Sequence, residues 1–123
     1  MGQFGMSTFT VEMPVAAVSG GRQVTVEALV DTGATHSCLP SPLLRSLGIE
    51  PKETSSYRLA DKRRLDYSVG EARVWLDGRD RVTPVVFGDE GTDPLLGAVT
   101  LEEFGLAVDP VNKRLIRVDG LLL

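Results

Sequence analysis

Hydrophobic and polar residues alternate over many short stretches of the chain, which is the pattern of β-strands that bury one face. The first stretch covers residues 7–18 and the second covers residues 23–30, and the segment Ser19–Arg22 between them is typical of a hairpin turn. The remaining stretches are short and lie at residues 54–59, 64–69, 70–76, 81–87, 106–108 and 114–118. The pattern therefore predicts about eight strands.

Two short helices are predicted between these strands. Ser41 is placed to cap the first helix, which should end at Gly48. Thr100 and Glu103 have the spacing of a capping box, which predicts a second helix that begins near Leu101. Many short strands with two short helices predict a mostly β fold, either a small closed β-barrel or a folded sheet.

Composition limits the class of protein. The chain has 123 residues, of which 42% are hydrophobic and 24% are charged, and this balance is normal for a globular protein. We expect one domain over residues 1–123, with residues 1–6 flexible. The net charge is −4 and the sequence has no long basic face, so no nucleic-acid partner is expected.

Cys38 is the one cysteine of the sequence, so an internal disulfide is impossible and no Cys/His zinc cluster is present. We expect neither a metal nor a cofactor. The sequence has no signal segment and no apolar run of membrane length, so the prediction is a cytoplasmic protein without a membrane partner. The apolar segment Leu121–Leu123 at the end suggests an interface with another chain.

The segment most informative about chemistry is the apolar run Ala28–Val30 followed by Asp31, Thr32 and Gly33. The run is typical of a strand buried on both faces, and Gly33 allows the chain to turn sharply after it. A carboxylate at the end of a buried strand must be paired, hydrogen-bonded or protonated, which indicates that its acidity is used. The alternative is that Asp-Thr-Gly is an ordinary turn, since Asp and Gly are common turn residues.

Further along the chain, several segments match one family in order and spacing. They are Leu29–Ser37, Leu95–Gly97, Phe104–Pro110 and Lys113–Ile116, with Arg58–Asp61 similar to the family's flap. Together they resemble the retropepsin-like aspartic proteases, which are single-domain enzymes of retroviruses and retrotransposons with bacterial relatives. The resemblance covers nearly the whole chain, from about residue 8 to residue 118.

The resemblance implies an acid-protease fold and an aspartic endopeptidase in which Asp31 is the catalytic residue. It also implies that the Thr32 hydroxyl braces the site and that Gly33 helps to bind the substrate backbone. The hairpin of residues 54–69 would be a flap over the Asp31 site, and residues 95–97 would pack beside the Asp31 strand. The expected substrate-binding residues are Gly33, Ala34, Leu59, Ala60, Asp61, Lys62 and Leu95.

Two departures from the family pattern are visible. Lys62 and Arg63 follow Asp61 where family flaps often carry glycine, which puts the substrate range in question. The segment Ala98–Thr100 also replaces a polar pair after Gly97.

Hydrolysis of a peptide bond by carboxylates needs two of them, because one activates a water while the other protonates or polarises the carbonyl. Two carboxylates about 3 Å apart share one proton. The sequence holds one Asp-Thr-Gly motif, so the second carboxylate should come from Asp31 of a second copy on a two-fold axis. The prediction is a homodimer that cleaves peptides or proteins.

Other acidic residues are less suited to form the pair. Each lies in a turn or at a strand edge and is expected to be solvated: Asp61, Asp66, Asp77, Asp80, Asp89, Asp93 and Asp109. Asp109, which precedes Pro110, should close a turn.

Two further groups have both a chemical and a structural interpretation. His36 and Cys38 would point the same way on an extended segment and resemble a nucleophile pair, but no third group that would orient the histidine is evident, which favours a structural role. The basic residues 58 and 62–64 would either favour acidic substrates or form a solvated hairpin tip, and charge runs are usually solvated.

Two other functions remain open from the sequence. A catalytically silent member of the same fold would bind peptides or mediate dimerisation, and an unrelated small β-barrel would be a binding domain. Retention of Asp31, Thr32 and Gly33 together favours the protease, since a pure binding module has no need of a buried carboxylate.

Overall fold

Nine strands and two short helices form residues 8–120, the part of the chain that the computed structural model describes. In chain order they are β1 (Thr10–Ala17), β2 (Gly20–Val30), β3 (Ser37–Pro40), α1 (Ser41–Ser46), β4 (Glu53–Arg58), β5 (Arg64–Leu76), β6 (Arg79–Gly88), β7 (Leu95–Leu96), α2 (Ala98–Glu103), β8 (Leu106–Asp109) and β9 (Arg114–Arg117). The expectations for residues 1–6 and for Leu121–Leu123 fall outside the described residues.

Seven of the strands form one folded sheet in the order β1-β2-β7-β3-β6-β5-β4, and β1 also pairs with β5. Most neighbours are antiparallel, but β2 runs parallel to β7 and β3 runs parallel to β6. The strands β8 and β9 form a separate antiparallel pair. The predicted mostly β fold is therefore confirmed as a folded sheet with two short helices.

Alternating side chains of the long strands fill one hydrophobic core. Met13 and Val15 of β1 and Ala72, Val74 and Leu76 of β5 point inward and are fully or almost fully buried, as the period-two pattern predicts. Besides Met13, the largest fully buried side chains come from other parts of the chain, and they are Leu39, Leu44, Leu96 and Phe104. Burial of one such side chain contributes about 1.5–3 kcal/mol to folding.

Residues 64–76 form one continuous strand, whereas the sequence predicts two strands that meet at Gly70. The glycine is needed there for close packing and not for a turn. A Cβ at this position would lie 2.8 Å from the backbone oxygen of Glu50 and 3.0 Å from the Phe87 ring. A glycine inside a strand can mark such a close approach of another part of the backbone.

The first helix begins as predicted at the Ser-Pro pair, but Ser41 is not its cap. Pro40 occupies the N-cap position without a side-chain hydrogen bond, and the Ser41 hydroxyl accepts a hydrogen bond from Arg45 Nε at 3.2 Å. The predicted stop is confirmed, since the chain reverses after α1 at Gly48 with a φ of 81°.

The second helix starts three residues earlier than predicted, and the capping-box interpretation is wrong. Gly97 is the N-cap residue and Thr100 lies inside α2, where its hydroxyl is buried against other side chains. None of the helices described within residues 8–120 has both the length and the apolar composition needed to cross a membrane.

Candidate active site

The Asp-Thr-Gly turn begins where β2 leaves the sheet, and β7 holds it there. Leu29 and Val30 pair in parallel with Leu95 and Leu96, and the Asp31 backbone N–H extends this ladder by donating to the Leu96 oxygen at 3.0 Å. The predicted packing of residues 95–97 beside the Asp31 strand is therefore confirmed. This hydrogen bonding fixes the position at which Asp31 leaves the edge of the sheet.

The side chain of Asp31 folds back over its own turn. Gly33 N–H donates to Asp31 Oδ1 at 2.9 Å, and Ala34 N–H donates to the Asp31 backbone oxygen at 3.1 Å. A Cβ at Gly33 would lie 3.2 Å from Oδ1, so a larger residue would crowd this contact. Asp31 is half-buried and Thr32 is exposed, because the turn carries both residues from the end of the strand to the protein surface.

The start of α2 holds the segment that follows the turn. Ala98 N–H donates to the Ala34 oxygen at 2.8 Å, and Val99 N–H donates to the Thr35 oxygen at 2.9 Å. These contacts satisfy helix-end donors that have no partner within the helix. The packing requires glycine at position 97, where a Cβ would lie 2.6 Å from the carbonyl carbon of His36.

Three buried hydroxyl groups connect the strands and the helix behind the turn. Ser37 of β3, Thr83 of β6 and Thr100 of α2 are each at most 1% exposed. Their oxygens lie 2.7 Å apart for Ser37 and Thr100 and 2.8 Å apart for Thr83 and Thr100, and Gly97 N–H donates to Ser37 Oγ at 3.0 Å. This network could not be predicted from the sequence, because its members are up to 63 residues apart and no local pattern links them.

A cavity of about 660 Å³ lies between the segment that follows Asp31 and the β4–β5 hairpin. Its lining combines apolar and ring-bearing side chains with the hydroxyl groups of four residues and two charged groups, which belong to Thr35, Ser55, Ser56 and Thr92 and to Arg58 and Asp89. Four of the expected substrate-binding residues line it: Gly33, Ala34, Leu59 and Leu95. The other three, Ala60, Asp61 and Lys62, lie at the exposed tip of the hairpin, outside the lining.

One wall of the cavity is built from three rings. His36 and Tyr57 meet edge to face with 5.8 Å between ring centres, and Tyr57 and Tyr67 meet in the same way at 6.1 Å. His36 Nδ1 also lies 2.8 Å from the Tyr57 hydroxyl, so the segment after Asp31 is hydrogen-bonded to β4. Burial is the main cause of the raised pKa of Tyr57.

The nearby thiol of Cys38 also lines the cavity but is poorly suited to nucleophilic catalysis. Burial, and to a smaller extent the charge of Asp89, raises the pKa of Cys38 to about 11. The thiolate is the reactive form, so this thiol is inert near neutral pH. The hydrogen bond of His36 goes to Tyr57, so these observations favour the structural interpretation of the His36–Cys38 pair.

The tip of the β4–β5 hairpin is closed by its own ion pair. Asp61 accepts hydrogen bonds from Arg63 N–H at 3.1 Å and from Arg63 Nε at 2.6 Å. Leu59 N–H donates to the Arg63 oxygen, and Lys62 takes a φ of 72° that is unusual for a residue with a side chain. The absence of glycine at this tip is thus accommodated by backbone strain at Lys62 and by the carboxylate of Asp61.

Four of the remaining aspartates have side-chain hydrogen bonds, and they are Asp66, Asp77, Asp80 and Asp109. Asp109 closes the β8–β9 turn as predicted, since its Oδ1 accepts hydrogen bonds from the N–H groups of Val111 and Asn112, both at 3.2 Å. Its hydrogen bonds, first those with Asn112, lower the pKa of Asp109. Asp77 is exposed as predicted, and Arg79 and Arg117 both donate to its carboxylate; the bond from Arg117 is the main cause of its lowered pKa.

Solved structures with the same chain path have the retropepsin fold. A retropepsin-like aspartic protease from Rickettsia conorii is 25% identical with a TM-score of 0.52, and the match covers 83% of this chain and 84% of that protein. The protease of Simian foamy virus is 18% identical with a TM-score of 0.57, covering 78% and 94% of the two chains. The EIAV protease, solved with an inhibitor, is 17% identical with a TM-score of 0.58, covering 79% and 88%.

The sequence comparison gives the family. Residues 15–100 match the family described as aspartyl protease, and the chain belongs to that family. A search of curated proteins finds no match. The predicted resemblance to retropepsin-like proteases is confirmed by the family and by the fold together.

Proposed function

We propose that the protein is an aspartic endopeptidase that hydrolyses peptide bonds with a water activated by two Asp31 carboxylates across a homodimer axis. The observation that carries the proposal is the Asp31 turn, in which a half-buried carboxylate is held by Gly33 N–H at the end of a strand. The aspartyl protease family and the retropepsin fold support it.

The chemistry follows from the sharing of one proton. In the proposed dimer one carboxylate takes a proton from water while the other donates its proton to the carbonyl oxygen of the substrate. The proton belongs to the pair and not to either residue. Thr32 is exposed next to Asp31, and in the proposed dimer its hydroxyl would brace the two turns across the axis.

The cavity between the Asp31 segment and the β4–β5 hairpin would accept side chains of an extended peptide. Gly33, Ala34, Leu59 and Leu95 supply wall positions. The hairpin tip of residues 60–62 would close over the peptide backbone as a flap, excluding water and adding strand-like hydrogen bonds.

The decisive variant is Asp31→Asn. An amide is nearly isosteric with a carboxylic acid, so the fold should persist, but it can neither accept the proton of water nor share one. We expect the rate of peptide cleavage to fall at least about a thousandfold, while the melting temperature stays within a few degrees of the wild-type value. Cleavage of a peptide library between pH 4 and pH 8 measures the first and thermal melts measure the second.

Asp93→Asn is the matched control, because Asp93 is an exposed aspartate in the loop before β7 and outside the cavity lining. It should retain full activity. Undiminished cleavage by Asp31→Asn would refute the mechanism. A wild-type dimer that binds peptides without cleaving them at any pH would show that the protein is a binding module.

A further inference from the structure

The peptide group between Leu96 and Gly97 is held from both sides. Its oxygen accepts the hydrogen bond of Asp31 N–H at 3.0 Å, and its N–H donates to Ser37 Oγ at 3.0 Å. A peptide group is planar, so its C=O and N–H directions cannot change independently. The position of Ser37 Oγ therefore sets the direction of the oxygen that holds Asp31.

Ser37 Oγ is in turn held by the buried hydroxyl of Thr100 at 2.7 Å. Both side chains are at most 1% exposed, so no solvent competes for the bond, and a hydroxyl left unpaired at this depth would be costly. The Leu96–Gly97 peptide has little room to move away, because a Cβ at position 97 would be only 2.6 Å from the His36 carbonyl carbon.

The rest of the Asp31 turn moves with the Asp31 backbone. Gly33 N–H donates to the Asp31 carboxylate and Ala34 N–H donates to the Asp31 oxygen, so the turn is tied into one unit. A tilt of the Leu96–Gly97 peptide would therefore displace the carboxylate itself.

We propose that Ser37 and Thr100 are positioning residues that place the Asp31 carboxylate through the Leu96–Gly97 peptide group. The kinetic part of this inference rests on the proposed aspartic endopeptidase function, whereas its structural part does not. Small displacements of a reacting group reduce turnover strongly, because the group must be aligned with both water and substrate.

Thr83 provides a matched control within the same network. Its hydroxyl is as buried as that of Thr100 and bonds to it at 2.8 Å, so its removal also breaks a buried hydrogen bond. Thr83 is one step further from Gly97 and Asp31. A purely stabilising network predicts similar effects for Thr83 and Thr100, whereas the proposal predicts different ones.

The experiment compares Ser37→Ala and Thr100→Val with Thr83→Val, and uses Thr100→Ser as the conservative variant that keeps the hydroxyl. The first readout is hydrogen exchange of the Asp31 backbone N–H by NMR, which needs no activity. We expect the Asp31 N–H to exchange about tenfold faster in Ser37→Ala and Thr100→Val than in wild type. In Thr83→Val and Thr100→Ser the rate should stay within about twofold of wild type.

The second readout is steady-state peptide cleavage. We expect kcat to fall about tenfold in Ser37→Ala and Thr100→Val with KM within about twofold of wild type, and Thr100→Ser to restore kcat. If Ser37→Ala does not fold, the two Thr100 variants decide the matter. Faster Asp31 exchange in a protein without peptidase activity would reject the endopeptidase and retain the positioning role.

Two outcomes would overturn the proposal. One is an Asp31 exchange rate that does not change in Ser37→Ala and Thr100→Val. The other is an equal change in Thr83→Val, which would show that the network only stabilises the fold.

Discussion

At the scale of single residues, Gly97 has the least space for a side chain among the glycines of residues 8–120. A Cβ there would lie 2.6 Å and 2.7 Å from the carbonyl atoms of His36 and 2.9 Å from the Ala34 oxygen, and all three are backbone atoms. We expect Gly97→Ala to lower the free energy of unfolding by about 1–3 kcal/mol, because the backbone must shift to make room. Urea denaturation measures this change.

Gly120→Ala is the control for that variant, since a Cβ at Gly120 would have no neighbour within 4 Å. It should change the free energy of unfolding by less than about 0.5 kcal/mol. Equal effects of the two substitutions would contradict the packing argument.

Asp109 makes the stability of the β8–β9 turn depend on pH. Its pKa is lowered in the folded protein, mainly by hydrogen bonds with Asn112, so its charged form stabilises the fold above the unfolded pKa of about 3.9. This stabilisation is lost as the pH falls through the folded pKa. Asp109→Asn should therefore be less stable than wild type at pH 7, and the difference should shrink towards pH 2.

Denaturation midpoints of wild type and Asp109→Asn at both pH values test this expectation. Asp93→Asn removes an exposed carboxylate and serves as the comparison. A stability difference between wild type and Asp109→Asn that stayed constant down to pH 2 would show that charge plays no part in the turn.

At the scale of elements, the hydrogen bond between His36 and Tyr57 joins the Asp31 segment to β4. Tyr57→Phe keeps the ring but removes the hydroxyl, which should cost about 1 kcal/mol and loosen the hairpin. We expect faster amide hydrogen exchange over residues 55–59. Tyr67 is a neighbouring ring in the same wall, and Tyr67→Phe should leave this exchange unchanged. Equal exchange rates in the Tyr57→Phe and Tyr67→Phe variants would contradict the role of the bond.

The same elements show how far a sequence can be interpreted. The Asp31 turn and the neighbouring strand that ends at Leu96 were predictable, because each is marked by a short apolar run and a glycine that follows it. Gly70 was interpreted as a strand boundary. A glycine is required there because the backbone oxygen of Glu50 packs against it, and the local sequence does not reveal this contact.

Thr100 gave the second misinterpretation for the same physical reason. Its spacing to Glu103 matches a capping box, yet its hydroxyl bonds to Ser37 and Thr83, which are 63 and 17 residues away. A buried polar network forms between elements, so its members are known only once the elements are assembled. The lining of the cavity was predicted only where it adjoins a family motif.

At the scale of the whole molecule, the proposed site needs one Asp31 from each of two copies. Mixing wild type with a tenfold excess of Asp31→Asn, under conditions where subunits exchange, should leave about a tenth of the wild-type subunits in wild-type dimers. The rate of cleavage per wild-type subunit should therefore fall to about a tenth of its value without the variant. A cleavage rate that ignored the added variant would contradict a shared site.

Sedimentation over a wide concentration range is the companion measurement. It should show a reversible dimer whose dissociation parallels loss of cleavage. A strict monomer that still cleaves peptides would rule out the two-fold dyad.

The parallel pairing of β2 with β7 also has a consequence for the order in which the protein matures during synthesis. Leu29 of β2 pairs with Leu95 of β7, far along the chain, and closing so long a loop is slow compared with forming a hairpin. A nascent chain therefore carries the Asp-Thr-Gly motif long before the ribosome has delivered the strand that holds it. We expect growing chains, and fragments that stop before Leu95, to be unable to digest the proteins around them.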